Sequence, residues 1–327
     1  MGFSFAALAG ILLYSVMSVA YVYRWRGQTR YASLTQYLRK SWPIFAPLNC
    51  ILYMTTLRSA RGPVLAGDAV PNLSILRDNW QVIRDEALAI QSDGAFEAAK
   101  AAGSPGSYDI GFRTFFKRGW SKFYLKWYGV THRSARRTCP RTVALLKRVP
   151  EIKGAMFAIL PAGSELTVHA DPLACSLRYH LGLQTPNSDL CLIEVDGVRL
   201  SWRDGQDFIF DETYPHQAHN GTGASRLILM CDVARPLNII GRVFNAGYGL
   251  LAGGTLVPNT DEDKRGPASA IFAALAPIQA RTRALKQTNL ARYKLLKHTI
   301  NATLLVVVLA ALYGLFRVVE TVVRALV

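Results

Sequence analysis

The sequence contains no Cys-x-x-Cys pair, and its 5 cysteines, Cys50, Cys139, Cys175, Cys191 and Cys231, are odd in number. Neither a zinc ribbon nor a disulfide framework is supported by that spacing, and a reducing compartment fits it. Acids are missing where bases are dense. Residues 24–40 carry Arg24, Arg26, Arg30, Arg39 and Lys40, and residues 281–297 carry Arg281, Arg283, Lys286, Arg292, Lys294 and Lys297, without one Asp or Glu in either stretch. No internal repeat is present, so the chain does not read as a solenoid or a propeller.

What is present is apolar and basic. Half of the 327 residues are hydrophobic (50%) and the formal net charge is +16, while the mean hydropathy is +0.15. Such a balance directs attention to membrane segments. Phe3 to Tyr23 runs without a formal charge and has the length of a bilayer-spanning helix. Its flanks, Met-Gly before and Arg24-Trp25-Arg26 after, lack the basic lead and small-residue cleavage site of a signal peptide, so residues 1–23 are expected to be an uncleaved transmembrane anchor. Ala302 to Phe316 is shorter, but apolar residues continue it, and residues 301–327 read as a second transmembrane or interfacial helix. The two basic stretches beside these segments lie inside by the positive-inside rule, which puts the long middle of the chain in the cytoplasm.

Between the ends, residues 24–72 form a segment apposed to the membrane and a linker. Within it Trp42 to Thr56 is too short to cross a bilayer and suits either an interfacial position or core packing. Residues 73–150 read as helical, beginning with a helix over Leu73–Ile90, and include a basic-aromatic tract. There Arg113, Lys117, Arg118, Lys122, Lys126, Arg133, Arg136, Arg137 and Arg141 interleave with Phe115, Phe116, Trp120, Phe123, Tyr124, Trp127 and Tyr128. That pattern can hold single-stranded nucleic acid, but beside membrane segments a phosphorylated lipid or the membrane surface is preferred, with core packing of the aromatics equally open. No nucleic-acid partner is expected. From about Met156 the period becomes strand-like, through 157–160, 176–183, 191–195, 199–202, 207–210 and 226–233, with a hairpin turn at Asp196-Gly197. Residues 151–240 are therefore expected to form an all-β core, a double-stranded β-helix or jelly roll of the cupin type. Residues 241–300 read as an extension with a basic flank.

The residues with metal chemistry are His169, Asp171 and His216. Two imidazoles and one carboxylate leave three positions of an octahedral ion open, the arrangement of non-haem iron(II) oxygenases. His219, three residues further on, competes with His216, while His132 and His298 read as surface groups. Arg226 opens the last strong strand, where its planar fork suits the distal carboxylate of a dicarboxylate co-substrate, with a salt bridge to Asp211 or Asp232 as the plain alternative. Arg178 and His180 share one face of a strand, opposite Leu177, Tyr179, Leu181 and Leu183.

With these residues in place, the series NWQVIRDEALAI, GWSKFYLKWYG, CPRTVALLKRVPEIKGAMFAILPAG, HADPLACSLRYHLGL, VDGVRLSWRDGQ, FDETYPHQAHN and RLILMCDVARP resembles the aspartyl/asparaginyl β-hydroxylases. DETY, TPNSDLCLIEVDG and FAPLNCILY suggest the branch that 2-hydroxylates acyl chains of lipid A. The resemblance implies an Fe(II)- and 2-oxoglutarate-dependent dioxygenase consuming O2, with His169 and His216 as iron ligands and Arg178, His180 and Arg226 as contacts of 2-oxoglutarate. It further implies a secondary acyl chain of lipid A as substrate, at the cytoplasmic face of a bacterial inner membrane. Asp171 departs from the peptide-hydroxylating members, which typically lack a carboxylate there, so its ligation follows from the metal-site pattern alone. The other readings are hydroxylation of Asp or Asn side chains in a peptide, and a non-catalytic membrane scaffold or lipid-binding protein.

Overall fold

The structure, a computed structural model, describes residues 2–109 and 119–300 with isolated positions beyond 300. The chain divides into two compact units, Met1–Ala270 and Ile271–Val327. The first holds the strands β1 (Val64–Leu65), β2 (Ser121–Trp127), β3 (Val130–Thr131), β4 (Ile152–Leu160), β5 (Glu165–His169), β6 (Ser176–Gln184), β7 (Cys191–Val195), β8 (Val198–Ser201), β9 (Asp207–Phe210), β10 (His216–Asn220) and β11 (Arg226–Ala234). They pair into a seven-stranded sheet of order β1-β9-β6-β11-β4-β2-β3 and a four-stranded sheet of order β5-β10-β7-β8. The expected jelly-roll core is present.

Period-two alternation decides what each face does. On β6 and β11 the residues Leu177, Tyr179, Leu181, Leu183, Leu227, Leu229, Cys231 and Val233 belong to the outer core, where Ile83, Ala87 and Ile90 of a covering helix also lie. That helix, α5 below, sits on β6. The alternate residues Ile228 and Met230 face inward and join Ile193, Val195 and Ala218 of the small sheet, with Trp202 and Phe210, in a second core. The expected polar face of Arg178 and His180 is thus the face between the sheets. Asp196 and Gly197 close the β7–β8 hairpin with φ values of 49° and 87°, the doubly left-handed turn that Asp-Gly favours. The Asp196 carboxylate also accepts from the Gln28 and Thr29 amides, fastening the preceding segment to this turn.

Helices α1 (Gly2–Arg24), α2 (Leu34–Lys40) and α3 (Ala46–Thr55) precede the sheets; α4 (Ser74–Arg77), α5 (Trp80–Ser92), α6 (Ala95–Lys100), α7 (Arg133–Thr138) and α8 (Pro140–Lys147) follow; α9 (Ile239–Gly253) and α10 (Pro267–Thr288) come after β11. The expected single helix over Leu73–Ile90 is divided at Asp78-Asn79, where the Asn79 side chain bonds the Ile75 carbonyl and so competes with the helical ladder. Among the described residues no helix is long and apolar enough to cross a membrane. Helix α1 lies against α3, with the Tyr14 hydroxyl on the Pro47 carbonyl at 2.9 Å and Ser18 buried. The second expected span, 301–327, falls outside the described residues apart from isolated positions.

Two further expectations change in the first unit. Residues 73–150 are not wholly helical: β2 and β3 join the large sheet beside β4, and Lys122, Phe123 and Tyr124 are buried there. Lys122 pairs inside with Asp109, so this half of the basic-aromatic tract is core; Arg113, Phe115, Phe116, Lys117 and Arg118 lie outside the described residues. His132 is buried as well, its Nε2 2.8 Å from the Val257 carbonyl, because its ring stacks on Tyr124 at 5.7 Å. Trp42–Thr56 resolves into a core side and an exposed side: Leu52 is fully buried, whereas Trp42, Ile44 and Met54 are exposed.

One buried carboxylate holds the start of the chain to the sheets. Asp211 Oδ2 accepts from Arg26 and from Arg235, each at 2.9 Å, and its Oδ1 accepts from the Thr213 amide at 3.0 Å. Burial pushes this carboxyl up, but Arg235 and Arg26 more than offset it and hold the pKa well below the usual range. Asp211→Ala is therefore expected to cost about 3–5 kcal/mol, since it strands two buried guanidiniums, as read from denaturant unfolding. The sign of the pH effect follows: the wild-type contribution is full above about pH 4, the unfolded carboxyl pKa, and is lost as pH falls below it.

Candidate metal centre

Strand pairing builds the site. In the antiparallel β5–β10 pair His169 stands opposite His216, and cross-strand neighbours on one face bring their side chains together. Their ring centroids are 4.2 Å apart. Asp171, two residues beyond His169, is held by its amide on the Glu212 carbonyl at 2.8 Å and brings Oδ1 to 3.6 Å from His169 Nε2. The candidate ligand atoms of His169, Asp171 and His216 all lie within 4.8 Å of one another. Donors sharing one ion at about 2.1 Å stand no more than about 4.2 Å apart, so sub-ångström adjustment suffices for one ion. His219, on an outward position of the same strand, is exposed and does not belong to the group.

Both imidazoles are prepared for metal by their backbone partners. His169 Nδ1 lies 3.0 Å from the Thr167 carbonyl and His216 Nδ1 lies 3.0 Å from the Tyr214 carbonyl, in each case the residue two before. A carbonyl only accepts, so each Nδ1 carries the proton and each Nε2 offers its lone pair. Burial lowers the His216 pKa to about 3, helped by His169, and burial also lowers that of His169. For Asp171, burial acts upward, but Arg178 and the two histidines outweigh it and leave the pKa below the usual value. Two neutral nitrogens and one carboxylate form an N2O donor set, which fits iron(II).

The three other expected residues separate into two environments. Arg178 is committed to acids: Nη2 is 2.9 Å from Asp171 Oδ2, and Nε is 3.2 Å from Asp232 Oδ1 on the opposed position of β11. It therefore orients the carboxylate ligand. Arg226 has no such acid; Asp211 serves Arg26 and Arg235, and Asp232 serves Arg178. Its Nε and Nη2 are buried without a hydrogen-bond partner among the described residues, while its guanidinium lies 4.1 Å from the Trp202 ring centre. Burial lowers its pKa to about 9. Trp202 also reaches His180, donating from Nε1 to Nδ1 at 3.2 Å. Since indole only donates, His180 carries its proton on Nε2, a buried donor that is likewise without a partner. Trp202 was not singled out from the sequence, although a tryptophan ending a strand run is a donor needing an acceptor when buried.

Buried donors in an apolar, aromatic-walled space are costly unless an acceptor fills it. Arg226 and His180 thus fit an anionic oxygen ligand between the sheets. His180 connects the two halves: its ring is 5.1 Å from Phe210, whose ring is 5.7 Å from His216.

Alanine at His169 or His216 is expected to abolish binding of one divalent ion per chain in a cobalt(II) absorbance titration, and Asp171→Ala to weaken it less. Wild-type affinity should stay flat from about pH 8 to about pH 6, because the lowered imidazole pKa values remove proton competition; two ordinary imidazoles would lose about tenfold over that interval.

Residues 77–236 match the family described as aspartyl/asparaginyl beta-hydroxylase. An ornithine lipid ester-linked acyl 2-hydroxylase of Rhizobium tropici is 36% identical over 127 residues, 38% of this chain and 45% of that protein. The aspartyl/asparaginyl beta-hydroxylase of Homo sapiens is 32% identical over 166 residues, 49% of this chain and 21% of that protein. This chain therefore matches less than half the length of either relative. A prolyl-4-hydroxylase of Pseudomonas putida superposes with a TM-score of 0.32 at 17% identity, over 49% of this chain and 87% of that one; the fold assignment rests on the strand order itself. Residues 77–236, just under half of this chain and the part that carries the paired histidines, Asp171 and Arg226, match the aspartyl/asparaginyl β-hydroxylase family.

Proposed function

We propose that the protein is an iron(II)- and 2-oxoglutarate-dependent hydroxylase acting on an acyl chain of a membrane lipid, at C2 of a secondary acyl chain of lipid A in the cytoplasmic leaflet. The observation that carries the catalytic part is the pairing of a two-histidine, one-carboxylate centre with the unpartnered donors of Arg226 and His180 between the same two sheets. Iron(II) with 2-oxoglutarate and dioxygen supplies oxidative decarboxylation of the co-substrate coupled to hydroxylation of a C–H bond.

The chain's own residues bind and orient. His169, Asp171 and His216 would hold the metal, and Arg178 keeps Asp171 ionised and turned toward it. Arg226 would take the distal carboxylate of 2-oxoglutarate through its Nε–Nη2 edge, with His180 Nε2 donating to an oxygen. Trp120, Trp202, Phe208 and Phe210 keep water from that space.

The lipid part rests on the Rhizobium relative and on a cavity of about 480 Å3 among Tyr14, Met17, Tyr21, Tyr53 and Met54. A smaller cleft of about 20 Å3 shares Arg26 and Tyr53 with it and is lined by Asp171, so the apolar cavity lies close to the metal centre. Peptide hydroxylation is the second reading, favoured by the longer match to the human relative. Mass spectrometry of lipids and of peptides from cells with and without the protein decides between them: 2-hydroxylated acyl chains are expected, and hydroxylated Asp or Asn with unchanged lipids would overturn the lipid reading.

Arg226→Met separates a co-substrate site from a structural cation. It should raise the KM for 2-oxoglutarate roughly ten- to hundredfold, the loss of one charge-assisted bidentate contact of about 1.5–3 kcal/mol, with metal affinity unchanged. The same change should raise the Tm of the ligand-free protein, because it removes a buried unpaired charge. Unchanged 2-oxoglutarate dependence with a lowered Tm would make Arg226 structural.

A further inference from the structure

Helix α9 turns Asn245 and Tyr248 inward and a stripe of large apolar residues outward. Its inner side carries Asn245, whose Nδ2 donates to the Cys175 carbonyl at 2.9 Å, and Tyr248, whose hydroxyl donates to Asn49 Oδ1 at 2.8 Å. Its outer side presents Ile239, Ile240, Val243, Leu250 and Leu251, between 50% and 74% exposed. Spacings of three, four, seven and eleven place these on one stripe. Arg242 is the one charged residue of the helix. Exposed apolar side chains scattered singly are ordinary, but a stripe of them along one helix marks a surface that something covers.

We propose that the outer face of α9 docks this protein onto an anionic lipid bilayer, lying in the interface plane. Charge selects the occupant: an acid-free helix with one arginine, in a chain of net charge +16, is drawn to anionic headgroups and repels a second copy of itself. The neighbouring α3 supplies further exposed apolar residues near its ends, Ile44 at 57% and Met54 at 63%, as an interfacial site requires. Beneath it, α3 and α9 hold the backbone that follows the candidate ligand Asp171. Asn49 donates to the Pro172 carbonyl and accepts from the Ala174 amide, each at 3.0 Å, and Asn245 takes Cys175. Docking through α9 therefore brings the loop beside the metal centre to the lipid surface. This surface stands independently of the catalytic reading, and lipid binding is measured without metal or co-substrate.

The full chain is mixed with vesicles of phosphatidylethanolamine and phosphatidylglycerol, and separately with phosphatidylcholine alone, and bound protein is read by flotation. The wild type is expected to float with the anionic vesicles and less with the neutral ones. Ile240→Glu with Val243→Glu should reduce the bound fraction at least roughly tenfold, while Leu190→Glu, an equally exposed leucine before β7, should float like the wild type. Cobalt(II) binding and Tm of the double variant should match the wild type, since both substituted side chains are exposed. Wild-type levels of flotation by the double variant, or equal loss with Leu190→Glu, would overturn the proposal. So would a dimer in size-exclusion chromatography that the double variant dissociates, which would assign the face to a second copy.

Discussion

Two arginines far apart in sequence converge on Asp211, and the positions of the metal-site loops depend on that convergence. Arg26 leaves the end of α1 and also donates to the Thr213 carbonyl at 2.8 Å; Arg235 leaves the end of β11 and donates to the Ala174 carbonyl at 2.7 Å. Asp211 itself turns the backbone by accepting from Thr213, and one residue beyond Thr213 the Tyr214 carbonyl fixes the His216 ring. The Glu212 carbonyl in the same turn holds the Asp171 amide. A buried carboxylate with two guanidiniums would be costly alone, yet here both arginines also donate to backbone carbonyls. Tyr53 and Tyr214 enclose the Arg26 guanidinium at 3.8 and 3.7 Å from their ring centres, adding cation–π contact to the ion pair. The segment before the β core is therefore a structural part of the site.

The interior between the sheets is electrostatically uneven. At the metal end Arg178 faces Asp171 and Asp232, and positive charge is met by negative charge. At the other end Arg226 faces aromatic rings, so burial works against its charge and, among the described residues, no carboxylate offsets it. Low dielectric strengthens any anion that enters there. Trp202 links the ends by fixing the His180 tautomer, which leaves a donor on the side where the acceptor is needed. A polar arrangement left incomplete at Arg226 and His180 marks where a ligand completes it.

Much of this was legible before any coordinates. Alternation in Ser176–Leu183 and Arg226–Val233 predicted strands, and in the first a polar face of Arg178 and His180 opposite an apolar one, because period two is fixed by the pleat. Asp196-Gly197 predicted its hairpin because few residues take two left-handed conformations in succession. The strands carrying His169 and His216 were less legible. Glu165–His169 alternates Leu166 and Val168 with polar neighbours but is only five residues long, and His216–Asn220 carries polar side chains on both faces. Ser121–Trp127 was hidden by its basic residues, since Lys122 is charged and yet buried against Asp109.

The sequence by itself determined the chemistry available: two histidines and an aspartate that can share an ion, an arginine on a core strand, a basic and apolar exterior, and an all-β centre. Residue type and short-range period carry that information, because donor identity and the pleat are local properties. Only the tertiary structure decided which cation was already paired. Arg178 and Arg226 are alike in sequence terms, and register alone sets Asp232 opposite Arg178 and leaves Arg226 against Trp202. It also decided that α1 rests on α3, that His132 is buried and that α9 turns its isoleucines outward. Each of these follows from which surfaces meet across long separations in sequence, and no local pattern encodes that.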